Sequence, residues 1–156
     1  MGVSGSGKST LGQALGSVLN VPFIEGDDFH PLANIEKMKK SIPLTDTDRK
    51  PWLISLAEEL SSHQKQGAVL ACSALKESYR NLLLSKISAD HAFWIYLKCD
   101  EKKLIKRIEM RNHFMPSSLL RSQLETLEEP KDALQLKDSL SIKQMIKQIK
   151  RTLNEH

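Results

Sequence analysis

Gly2-Val3-Ser4-Gly5-Ser6-Gly7-Lys8-Ser9, preceded only by Met1, is a complete G-x-x-x-x-G-K-[ST] phosphate-binding loop. Consecutive backbone N–H groups of such a glycine-rich turn wrap phosphate oxygens. Lys8 reaches the β- and γ-phosphates and Ser9 ligates Mg²⁺. Gly2, Val3, Ser4, Gly5, Ser6, Gly7, Lys8, Ser9 and Thr10 are therefore the candidate nucleotide contacts, with Lys8 also a catalytic candidate.

Working outward, Ser9 to Leu19 carries Leu11, Leu15, Val18 and Leu19 at helical spacing, with small Gly12, Ala14 and Gly16 that permit close packing. A helix thus follows the loop, and its N-terminus is an anion site. A flexible Gly/Ser-rich tail would lack that helix. Upstream, the buried strand that normally feeds such a loop is missing from this chain.

The remaining pattern alternates. Short apolar runs at Val21–Glu25, Ala68–Cys72, His91–Lys98 and Ala133–Lys137 read as strands. Helices are expected at about Pro31–Lys40, from Pro51 in a first-turn position to about Gln64, at Leu75–Leu84, at Glu101–Met110 behind an Asp100 cap, through Leu124, and along the stripe Ile142, Met145, Ile146, Ile149 and Leu153. The expected fold is α/β: one domain over residues 1–156, three layers around a parallel sheet, its first, central strand missing and a lid segment near residues 107–124.

At 156 residues, 40% hydrophobic and 27% charged, the composition is that of a soluble globular domain. A net charge of +4 suits a protein handling small anions, and no basic stripe interleaved with aromatics points to nucleic acid. No run approaches the ~18 apolar residues of a membrane span. Cys72 and Cys99 each close an apolar run and read as small core residues in a reducing compartment. Met1-Gly2-Val3-Ser4-Gly5-Ser6 formally matches an N-myristoylation pattern, but phosphate binding already explains the same residues.

Phosphoryl transfer needs charge neutralisation and positioning, so the candidates are groups at the C-terminal edge of the strands. Glu25-Gly26-Asp27-Asp28-Phe29-His30-Pro31 offers three carboxylates and a histidine there. Asp27 could orient or deprotonate an acceptor hydroxyl, another carboxylate, Glu25, could hold Mg²⁺ through water, and His30 could hydrogen-bond the substrate. One of Asp27 and Asp28 could equally cap a turn. Arg49 could clamp a carboxylate or simply pair with Asp46 or Asp48. Ser73, Lys76 and Arg80 open a helix on the same edge, whereas Tyr79 and Trp52 read as core anchors. Arg107, Arg111 and His113 form a basic lid candidate able to stabilise developing charge, although exposed arginines are often only a solvated face.

Together these stretches resemble the small, P-loop gluconokinases, relatives of the shikimate and nucleoside-monophosphate kinases. The resemblance rests on Met1-Gly2-Val3-Ser4-Gly5-Ser6-Gly7-Lys8-Ser9-Thr10, on Gly26-Asp27-Asp28-Phe29-His30-Pro31 with Asn34, Lys37 and Met38, and on Pro43-Leu44 with Asp46, Asp48-Arg49 and Pro51-Trp52-Leu53. It continues through Cys72-Ser73-Ala74-Leu75-Lys76 with Tyr79-Arg80, and through His113-Phe114-Met115-Pro116 to Pro130. It implies an ATP- and Mg²⁺-dependent cytoplasmic kinase of carbohydrate acid degradation, commonly a homodimer, that phosphorylates D-gluconate on its 6-hydroxyl. It also implies that Asp27 orients or deprotonates that hydroxyl, that His30, Arg49 and Arg80 bind the sugar acid with Lys76 a weaker candidate for the same pocket, that Lys8 and Ser9 serve phosphate and metal, and that Arg111 acts from the lid. Glu25 for the metal and Arg107 for the nucleotide rest on their positions alone. No nucleic-acid or membrane partner is expected.

A missing mid-sheet strand would remove about three or four buried side chains at ~1.5–3 kcal/mol each, comparable with the ~5–15 kcal/mol stability of a domain. The expectation is a fragment or alternative product that is unstable or inactive, with activity restored by about eight upstream residues ending in an apolar strand. The alternatives are an inactive nucleotide-binding protein and a kinase for another small hydroxy acid.

Overall fold

The computed structural model describes residues 1–111, 116 and 118–155. The phosphate loop turns on Gly5 and Gly7, at φ 78° and 94°, a left-handed conformation that glycine adopts without steric cost. It runs directly into helix α1, Lys8–Leu19, which Asn20 closes at φ 55° while bonding back to the carbonyls of Gly16 and Ser17. Strand β1 (Phe23–Glu25) follows, then a 3-10 turn over Gly26–Phe29 and helix α2 (Leu32–Lys39). Next come α3 (Asp46–Ser62), β2 (Val69–Ala71), α4 (Glu77–Leu83), a 3-10 turn at Ala89–His91 and β3 (Ile95–Lys98). The chain finishes with α5 (Glu101–Glu109), α6 (Ser118–Thr126), β4 (Leu134–Lys137) and α7 (Ile142–Glu155).

All pairing among the described strands is parallel, as strands joined through helices require. β1 lies on β2 with Phe23 opposite Val69 and Glu25 opposite Ala71, and β3 lies on β4 with Ile95 opposite Leu134 and Lys98 opposite Lys137. The two pairs do not bond to each other directly. Between them runs the start of the chain. The Met1 amine donates to Ile95 O at 2.6 Å, Leu97 N–H donates to Met1 O at 3.0 Å, and Gly2 N–H donates to Ser73 O at 3.3 Å. Next to Met1 lies an apolar hollow walled by Leu15, Leu70, Trp94, Ile95 and Ile149.

β3 shows how the layers arise. Alternate side chains of a strand face opposite sides, and Tyr96 enters one core while Leu97 enters the other. The first core gathers Val3, Ile24, Trp52, Leu53, Leu56, Leu75, Leu83, Leu104 and Leu120 beneath α3–α6. The second packs Leu11 and Leu15 of α1 and Met145 and Ile149 of α7 onto Leu97 and Leu136. Burial on both faces is the mark of a parallel α/β sheet, as expected. Two glycines let layers touch. A Cβ at Gly12 would stand 2.5 Å from the Phe23 ring, and one at Gly26 would stand 2.5 Å from Ala71 O.

Several boundaries differ from expectation. α3 starts at Asp46, so Pro51 lies inside the helix and not in its first turn. A capping box decides this: Thr45 Oγ1 accepts from Asp48 N–H while the Asp48 carboxylate accepts from Thr45 N–H. β3 begins only at Ile95, four residues after the expected His91, which closes a 3-10 turn over Ala89–His91. Asp100 caps α5 as expected, its carboxylate accepting from the N–H groups of Lys102 and Lys103. His113 of the expected lid, with the neighbouring Phe114 and Met115, lies outside the described residues.

Candidate active site

The loop, the end of β1 and the start of α3 frame one cleft of about 950 Å³, open mouth included. Ser4, Gly5, Gly7, Lys8, Ser9 and Thr10 form one wall; Asp27, His30, Arg49 and Trp52 form another; Arg111 stands at the rim.

On the loop side, Lys8 is half-buried and its Nζ donates to Val3 O at 3.0 Å, which curls the side chain over the loop. Burial holds its pKa below the ordinary lysine value, with the carboxylates of Asp27 and Glu25 among the groups opposing that shift. Ser9 Oγ donates to the Glu25 carboxylate, which the end of β1 delivers. That pair is all oxygen, the donor type Mg²⁺ prefers. Among the described residues no three His, Cys, Asp or Glu side chains cluster in a way that could hold a metal. Ser6 Oγ is buried behind the loop, off the cleft lining and on the Gly2 side, with no hydrogen-bond partner.

On the acceptor side, the 3-10 turn after β1 presents Asp27, and His30 Nε2 stands 4.0 Å from its Oδ1. The His30 ring stacks on the Trp52 indole with centroids 4.0 Å apart, and Trp52 Nε1–H donates to Gly26 O at 2.8 Å. Burial pushes the His30 pKa down to about 4; Asp27 opposes the shift and Arg49 adds to it. The imidazole is therefore neutral at neutral pH.

Arg49 belongs to a tight polar cluster. Its Nη1 donates to Leu44 O at 2.6 Å and to the Tyr79 hydroxyl at 3.2 Å. Tyr79 donates to the Asp46 carboxylate, which also receives Lys76 Nζ at 3.1 and 3.3 Å. The Tyr79 hydroxyl and the Lys76 ammonium hold the Asp46 carboxyl below its usual range. Tyr79 is thus more than a core anchor, and Trp52 serves both the core and the cleft wall.

The structure brings Lys8, Ser9, Asp27, His30, Arg49 and Arg111 to one cleft. Gly2, Val3, Ser6 and Glu25 do not line it, and three further candidates lie elsewhere. Lys76 lies outside the cleft lining on Asp46. Arg80 is buried, its Nη1 donating to Ala74 O at 2.8 Å and Leu75 O at 3.3 Å, where it braces the positive-φ residue Ala74. Arg107 sits behind the loop, donating to Gly5 O at 3.3 Å beside Cys99 Sγ. Reasoning from the residues alone missed Gln123, whose Oε1 accepts from Ser4 N–H at 2.7 Å. No local signal announces a contact across 119 residues.

The chain matches the family model described as Shikimate kinase over residues 4–153. It is 43% identical over 133 residues to the thermosensitive gluconokinase of Escherichia coli, covering 83% of this chain and 70% of that protein. To the gluconokinase of Gluconobacter oxydans it is 47% identical over 135 residues, covering 85% and 75%. The crystal structure of a gluconokinase from Sinorhizobium meliloti superposes with a TM-score of 0.83 at 44% identity, covering 94% of this chain and 85% of that one. Shikimate kinase from Aquifex aeolicus, at 17% identity and a TM-score of 0.62 over 99% and 94% of the two chains, shares the fold.

Proposed function

The chain belongs to the gluconokinase family within the shikimate kinase-like P-loop kinases, and we propose that it transfers the γ-phosphoryl group of ATP to the 6-hydroxyl of D-gluconate, giving 6-phospho-D-gluconate. One observation carries the reading: a single cleft holds the phosphate loop on one wall and Asp27, His30 and Arg49 on the other. Phosphoryl transfer needs that juxtaposition of a phosphate cradle with an oriented acceptor.

The residues present fit the nucleotide and its cation. Ser4, Gly5, Gly7, Lys8, Ser9 and Thr10 of the glycine-built loop line the cleft at the N-terminus of α1, an arrangement suited to phosphate oxygens. Ser9 and Glu25 would hold Mg²⁺, which when bound neutralises phosphate charge, while most of its shell stays water and phosphate oxygen. Lys8 would swing from Val3 O to the phosphates. Asp27 would take the hydroxyl proton, and Arg49 would meet the sugar-acid carboxylate. Arg111 would cover the phosphates from the rim. Arg80 and Arg107 are proposed as braces for Ala74 and Gly5, and Lys76 as a holder of Asp46. The same reading makes the protein a cytoplasmic enzyme with two free thiols.

The test is ADP release with ATP and Mg²⁺ over a panel of D-gluconate, other sugar acids, shikimate and nucleosides. Gluconate is expected to give the highest kcat/KM, and Asp27→Asn to lower kcat at least 10²-fold. Turnover with shikimate or a nucleoside alone overturns the substrate assignment. ATP-dependent protection against melting without transfer to any acceptor overturns the enzymatic one.

A further inference from the structure

Asn34 lies on α2, its side chain buried between His30 and α3. Its Nδ2 donates to the backbone carbonyl of Asp48 at 2.9 Å. A carbonyl oxygen only accepts, so this contact identifies which end of the amide is nitrogen. The same Nδ2 lies 3.4 Å from His30 Nδ1. With one amide proton on Asp48 O, the second points at His30, and an imidazole nitrogen that receives a proton donor presents its lone pair. In a neutral imidazole the single ring proton then sits on Nε2.

Nε2 is the nitrogen that faces the cleft, 4.0 Å from Asp27 Oδ1. That separation is too long for a direct hydrogen bond. An oxygen about 2.8 Å from each atom fits between them, with a hydroxyl accepting from Nε2–H and donating to the carboxylate. His30 has little freedom to turn away, since its side chain is 4% exposed and stacked on Trp52.

We propose that Asn34 is a positioning residue that locks His30 as the Nε2–H tautomer, so that His30 donates to the acceptor hydroxyl oxygen and Asp27 alone takes its proton. This rests on the kinase reading and adds a division of labour between two side chains that sequence leaves interchangeable. In the step, the hydroxyl O–H bond breaks and its proton passes to Asp27. The oxygen forms the new bond to the γ-phosphorus, and the bond from that phosphorus to the bridging oxygen breaks with its electron pair left on ADP. His30 cannot compete for the proton because its cleft-facing nitrogen already carries one. Its donated hydrogen bond also orients the oxygen lone pair that does not attack.

The experiment is long-range ¹⁵N–¹H NMR of the histidine rings at pH 7.5, with His30 assigned by loss of its signals in His30→Gln. The expected spectrum shows a protonated Nε2 and a lone pair on Nδ1. Asn34→Asp removes the donor and supplies an acceptor, so His30 should convert to the Nδ1–H form or to imidazolium. With it, kcat should fall roughly 10- to 100-fold at unchanged KM for ATP. Gln at position 30 offers an N–H without tautomers, so Asn34→Asp should change kcat less than about threefold in that background. An Nδ1–H tautomer in the unmodified protein overturns the proposal by itself, even should Asn34→Asp fail to fold. An equal loss from Asn34→Asp in both backgrounds overturns it too. If the Nε2–H tautomer is found while gluconate is not phosphorylated, the substrate assignment fails and the tautomer lock stands.

Discussion

The imidazole of His30 lies almost parallel to the indole of Trp52, with an interplanar angle of 17°, and the same indole donates its N–H to Gly26 O. One side chain therefore supports both ends of the turn that carries Asp27. Trp52→Phe keeps an aromatic face but leaves Gly26 O without its donor, which should cost about 1–3 kcal/mol in urea unfolding. Because the turn also loses an anchor, kcat/KM for the acceptor should fall further than KM for ATP rises. Unchanged stability would contradict this account.

The buried, neutral His30 makes stability depend on pH in a defined window. Its folded pKa of about 4 lies below the ordinary 6.5, so between those values the unfolded chain binds the extra proton. Stability should fall as pH drops through 6.5 toward 4 and level off below. Asp27, which opposes the shift, and Arg49, which adds to it, are the charged groups contributing. At pH 5 the loss assigned to His30 is roughly 2 kcal/mol relative to pH 7. Urea unfolding at both pH values should show it in the unmodified protein and lack it in His30→Gln.

Lys8 separates stability from catalysis. Its ammonium is partly desolvated and hydrogen-bonded to Val3 O, so the folded protein without nucleotide carries a half-buried cation. Lys8→Met should melt at the same temperature or higher while kcat drops at least 10²-fold. A lower melting temperature with retained turnover would show that Lys8 is structural.

Gly26 allows the turn to pass beneath β2. A Cβ there would stand 2.5 Å from Ala71 O, a backbone atom with no freedom to give way. Gly26→Ala should destabilise by about 1–3 kcal/mol in denaturant titration. Gly7→Ala is the useful contrast, since nothing lies within 4 Å of its would-be Cβ and the penalty is confined to its φ of 94°.

The order of helices and strands was legible because each strand is a short apolar run and each helix follows at regular spacing. The Asp100 cap and the α7 stripe were read from local chemistry and stand where expected. Proline's preference for a first turn puts the start of α3 at Pro51, whereas the Thr45–Asp48 capping box, with both ends of its contact within four residues, starts it at Asp46. What sequence does not display is the destination of long side chains. Arg80 and Arg107 sit at helical positions compatible with the cleft, yet both end on backbone carbonyls, a choice made by tertiary packing. The stack of His30 on Trp52 and the amide of Gln123 on Ser4 join segments far apart in the chain, and no local pattern encodes them.

Met1 and Gly2 knit the two halves of the sheet together and continue without a break into the turn that cradles phosphate. The rivet and the grip are one piece of chain. Whatever tightens on the loop must therefore also clamp the seam, and cohesion of the molecule becomes a readout of nucleotide occupancy. A mutation at the seam would be felt as weakened ATP affinity, and a saturating ATP analogue would rescue part of the cohesion such a mutation removes.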